Sequence, residues 1–73
     1  MKKLTFEELI HKQIGYMFVY NDCISRIMDI YSSFNSILVS QVYGNRWPFL
    51  LSKYSRYIDT LRELSEEEKI QHL

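Results

Sequence analysis

Residues 16–24 read Tyr16-Met17-Phe18-Val19-Tyr20-Asn21-Asp22-Cys23-Ile24, an apolar, aromatic block that runs into two side chains suited to capping a helix. Whether the backbone stays helical through Asn21 and Asp22 decides the fold. Two N-cap residues in succession argue for a break. Against this, Ile10, Ile14, Met17, Asn21, Ile24, Met28, Tyr31, Asn35, Leu38 and Val42 recur at alternating steps of four and three. That register crosses Asn21 without a phase change, as in one helical stripe or a coiled-coil seam. The spacing predicts a first helix over about 6–43, with a break near 21 as the alternative.

The flanks support this reading. Thr5 with Glu8 forms the pattern of a capping box, and Glu7 and Glu8 lie in a first turn where the helix dipole favours negative charge. Gly44 suits a left-handed helix stop, and Pro48 restrains Trp47 while fitting the first turn of a new helix. Leu50, Tyr54, Tyr57, Leu61 and Leu64 then repeat the four-three spacing, predicting a second helix over about 48–64. Ser65 with Glu68 marks a second capping box and a short C-terminal helix. The expected fold is all-α: a helical hairpin or three-helix bundle forming a single domain over residues 1–73.

Composition is consistent with that class. Glycine occurs twice and proline once, which leaves few turn residues for a strand-rich fold. The chain is 47% hydrophobic, too apolar for a disordered segment. Cys23 is the only cysteine, so no internal disulfide forms. His11 and His72 lack the neighbouring ligands of a structural zinc site, and no metal or cofactor is expected. Residues 1–62 carry eight basic against five acidic side chains, net +3, and residues 63–73 one against four, net −3. Lys2 and Lys3 are followed by Glu7, Glu8, His11 and Lys12 rather than an apolar run. A cytoplasmic protein without a membrane segment is the expectation.

A continuous first helix of about 38 residues would span roughly 57 Å against about 24 Å for the second. Half of its stripe would remain uncovered. A homodimer is therefore expected, with Ile10, Ile14, Met17, Asn21, Ile24, Met28 and Tyr31 as the self-association seam.

Catalytic chemistry finds little support. His11 near Glu7 and Glu8 reads as a solvated helix pair, and Cys23 reads as a packed thiol. Neither glycine belongs to a phosphate-binding loop. Aromatics make up 15% of the chain and concentrate around the one proline. Tyr43, Arg46, Trp47, Tyr54 and Tyr57 are the candidate surface for a protein partner, since Tyr, Trp and Arg suit interfaces that are dry on one side and wet on the other. The competing reading puts Trp47 in the end of the core. A non-catalytic protein–protein interaction module (adaptor, inhibitor or regulatory factor) is the expected function. A nucleic-acid-binding regulator using Arg46, Lys53 and Arg56 is the alternative.

Overall fold

The computed structural model describes residues 2–43 and 47–72. It overturns the all-α expectation: neither a helical bundle nor a coiled coil is present. A four-stranded antiparallel meander, β1 (Met17–Tyr20), β2 (Cys23–Tyr31), β3 (Ser36–Gln41) and β4 (Phe49–Ser52), lies within the stretches expected to be helical. Among the described residues, α-helix is confined to α1 (Phe6–Ile10) and α2 (Glu66–His72). Both begin at the two capping boxes. Glu8 N–H donates to Thr5 Oγ1 at 3.1 Å, and Glu68 N–H donates to Ser65 Oγ at 3.2 Å. The helix expected to run to residue 43 thus starts where its cap lies and ends at Ile10.

Asn21 and Asp22 are the two central residues of a tight hairpin, not helix caps. Their φ angles of 51° and 60° are both left-handed. That geometry matches the right-handed twist of the strands it joins and pairs Tyr20 with Cys23. Asn and Asp tolerate it because their short polar side chains compensate locally. Asn35, the other asparagine of the four-three stripe, also has a left-handed φ, 49°, and ends the 3₁₀ turn Ser32–Phe34. Gly15, at φ 94°, lets residues 15 and 16 share Ile27 as partner. Gly15 N–H donates to the Ile27 carbonyl at 2.8 Å, and Ile27 N–H donates to the Tyr16 carbonyl at 2.9 Å.

The helix-like spacing has a second source. Ile27 pairs with Val39, and Asp29 pairs with Leu38, so Met28 is an extra residue in β2. In a regular strand, residues three apart face opposite sides. The bulge instead places Ile27 and Ile30, three apart, on the same core side. The proposed self-association seam is dispersed accordingly. Ile10 ends α1, Ile14 sits in the following turn, Met17 is on β1, Asn21 is in the hairpin turn, and Ile24, Met28 and Tyr31 are on β2. With no long helix, the length argument for a homodimer no longer applies.

One side of the sheet packs against the N-terminal segment. Leu4, Phe6 and Leu9 meet Phe18, Tyr20, Ile27, Ile37, Val39, Leu51 and Leu61 in one buried cluster. Beyond β1 the sheet continues through Arg62, which exchanges two backbone hydrogen bonds with Val19 (3.0 and 3.1 Å), while Lys2 and Leu4 bond to Glu63 and Leu61. A second 3₁₀ turn, Ile58–Thr60, delivers the chain to this edge. The β1 edge is therefore sealed by both ends of the described chain. The segment expected as a helix over 48–64 is instead β4, a turn, this 3₁₀ turn and the sealing stretch.

Candidate interaction surface

The opposite edge of the sheet is β4, and its backbone directions follow from the ladder. Val42 N–H donates to the Ile24 carbonyl, so the even-numbered residues of this part of β3 turn toward β2 and the odd ones toward β4. Ile37 and Val39 then bond to their partners Leu51 and Phe49. Leu50 and Ser52 point their backbone groups away from the sheet. Ser52 confirms the direction: its N–H donates to Ser55 Oγ at 2.9 Å, and its carbonyl accepts from Ser55 N–H at 3.1 Å. At the other end, Pro48 has no N–H to offer. The edge is thus blunted at both ends. Among the described residues of β4, Leu50 alone keeps an outward donor and acceptor with no described partner.

The side chains around this opening are large and exposed. Trp47 is 90% exposed, Tyr54 84% and Leu50 60%. Leu50 lies on the side of the sheet away from the core, paired across the strand with half-buried Leu38. The turn after β4 is held by the reciprocal Ser52–Ser55 bonds and by Tyr54 N–H donating to Ser52 Oγ at 3.2 Å. Lys53 Nζ sits 5.2 Å from the Tyr54 ring centre, and the Arg56 guanidinium 5.6 Å from that of Tyr57. Tyr57 is anchored to the core. Its N–H donates to the Tyr20 hydroxyl at 3.2 Å, and its ring meets Tyr20 edge-on at 6.3 Å, while the Phe49 ring lies 5.8 Å from that of Tyr20.

Charge is one-sided here. Residues 30–58 include Arg46, Lys53 and Arg56 and contain no Asp or Glu. Among the described residues, the ion pairs are Lys2–Glu63, Arg62–Glu68 and Lys69–Glu66. Lys53 and Arg56 belong to none of them.

Of the candidate residues read from sequence, Trp47 lies just before β4, and Tyr54 and Tyr57 lie in the turn after it, so they border the same strand from opposite ends. Tyr43 does not join them. Its hydroxyl lies 3.0 Å from His72 Nδ1, with the two rings edge-on at 5.3 Å, so it contacts α2. Arg46 and the expected helix stop at Gly44 lie outside the described residues. Leu50 was missed because it fell into an apparent helical stripe. The available signal was Pro48 two residues earlier, which favours an edge strand over a central one.

Other sites are weaker. A cleft of about 300 Å³ is lined by Phe6, Glu7, Ile10, His11, Ser32, Asn35 and Lys53. It sits at the small end of ligand pockets, and its polar groups are mostly exposed. Among the described residues, no cluster of three His, Cys, Asp or Glu could hold a metal ion, and no helix is long and apolar enough to cross a membrane. Comparison with protein-family models, curated proteins and solved structures gives no significant match for this chain.

Proposed function

We infer that this chain is a non-catalytic interaction domain that docks another protein on β4 and the Ser52–Tyr57 turn. The observation supporting this reading is the near-complete exposure of Trp47 and Tyr54 beside an unpaired sheet edge. Side chains of this size exposed together are a common mark of partner sites, and aromatic anchors tend to dominate binding energy. Phe34, Ile14 and Ile70 are also exposed, but each sits on a different element.

The test is affinity capture from a nuclease-treated host lysate, comparing the wild-type chain with Trp47→Ala/Tyr54→Ala. Both side chains are exposed, so the double variant should keep the wild-type circular dichroism spectrum and melting curve. The expected outcome is a protein retained by the wild type and lost with the double variant. Equal retention by both would exclude this surface.

The nucleic-acid alternative keeps one specific observation, the cation–tyrosine pairs on an acid-free stretch. It predicts binding to single-stranded oligonucleotides that collapses steeply with salt. Three cations within 30–58 make that binding weak, and an outward backbone donor and acceptor at Leu50 serves a peptide better than a phosphate chain.

A further inference from the structure

The surface described above also constrains the chemistry of its partner, and this step rests on the interaction-domain reading. We propose that β4 accepts a short, extended, acidic peptide segment, which adds to the sheet edge at Leu50. A single residue of the segment exchanges hydrogen bonds with the Leu50 N–H and carbonyl and lays an apolar side chain over Leu50 and Leu38. Acidic residues of the segment meet Lys53 and Arg56.

Three observations converge on this occupant. The first is backbone direction. Among the β4 residues, Leu50 presents an outward donor and acceptor on the same side with no partner among the described residues, the pairing unit of an antiparallel ladder. The second is the length of the opening. Pro48 and the Ser52–Ser55 bonds close it on either side, which suits a segment of a few residues and disfavours open-ended strand stacking. The third is charge. No Asp or Glu occurs between Asp29 and Asp59 in the sequence, and among the described residues neither Lys53 nor Arg56, both just beyond β4, forms an ion pair, although Glu7 and Asp59 line a cleft with Lys53.

The experiment is an amide-resolved NMR titration of the full chain with three probes. These are a short peptide alternating valine and glutamate, its valine–lysine counterpart, and an oligothymidine of similar length. The valine–glutamate peptide should bind at least tenfold more tightly than the valine–lysine one, moving the Leu50 amide resonance and slowing its hydrogen exchange. Leu50→Pro removes the outward donor while leaving the Phe49 and Leu51 bonds to β3, and should weaken binding at least tenfold. Lys53→Glu/Arg56→Glu should do the same and reverse the preference between the two peptides. Because that variant changes only exposed side chains, it remains decisive if proline at 50 disturbs the fold.

Equal binding of both peptides, tighter binding of oligothymidine, or binding indifferent to both variants would overturn the proposal. So would a dimer, seen by light scattering, that protects the Leu50 amide. A lysate protein still captured through Trp47 and Tyr54 after charge reversal would sink this proposal and leave the interaction-domain reading standing. Absence of any such protein would sink that reading itself.

Discussion

Asp22 is the second of two consecutive non-glycine residues in the left-handed region, where a Cβ crowds the following carbonyl. Asp tolerates the strain better than most residues but does not escape it. Asp22→Gly should therefore stabilise the domain by about 0.5–1 kcal/mol. The melting temperature should rise by several degrees, since about 1 kcal/mol shifts a domain of this size by roughly 4–8 °C. Asp22→Val, β-branched and unable to compensate, should lower it by a similar amount or more. Glu68 is a second residue with a measurable signature. Its carboxylate accepts from the Arg62 guanidinium at 2.7 and 3.0 Å and from Ser65 N–H at 2.8 Å. These contacts, Arg62 foremost, lower its pKa from 4.5 to about 2. The folded value lies below the unfolded one, so the stabilisation is complete above about pH 4.5 and is lost as pH falls towards 2. Thermal melts of wild type and Glu68→Gln should differ at pH 7 and converge between pH 4 and 2.

At the scale of elements, what could be read from sequence depended on whether the signal was local. Capping boxes are closed by residues three apart, and both were legible at Thr5 and Ser65. Strand pairing is closed by residues far apart, and here its local trace was scrambled. The extra residue at Met28 shifted the core positions Ile27 and Ile30 from a spacing of two or four to three. The polar positions Asn21 and Asn35 fell on the heptad by coincidence of turn lengths. Glycine scarcity misled in the same way, because Asn and Asp supply three of the four left-handed residues among those described. The bulge can be tested directly. Deleting Met28 joins Ile27 to Asp29 and keeps the Ile27–Val39, Asp29–Leu38 and Ile30–Ile37 pairs in register. That variant should still unfold cooperatively in circular dichroism. Deleting Arg26 instead slips the β1–β2 register and turns core residues outward, so its melt should lose cooperativity. A non-cooperative melt for the Met28 deletion would mean that the curvature of the bulge, and not register alone, is needed.

For the molecule as a whole, the question is which parts of the C-terminal third hold the fold and which only rest on it. The candidate surface was partly legible, since Trp47, Tyr54 and Tyr57 could be read from aromatic density near Pro48. The free edge at Leu50 was not, because it exists only once β3 and β4 pair. The same logic separates α2 from the segment before it. No described residue of α2 is buried, and it is tied down through Glu68–Arg62 and Tyr43–His72. Leu61 is 1% exposed, Leu64 is also buried, and Arg62 links Val19 to the N-terminal segment through backbone bonds. Truncation after Ser65 removes no buried side chain among the described residues and should cost about 1–2 kcal/mol, leaving a cooperative melt at lower temperature. Truncation after Thr60 also removes Leu61 and Leu64, each comparable to a buried Leu→Ala loss of about 2–5 kcal/mol, and opens the β1 edge. A domain of this length has a total stability of roughly 4–11 kcal/mol. The longer truncation should therefore abolish the folded state. Circular dichroism melts and amide hydrogen exchange of the two truncated chains make the comparison. If the chain ending at Thr60 retained slow exchange in β1 and β2, the sealing role assigned to residues 61–64 would be wrong.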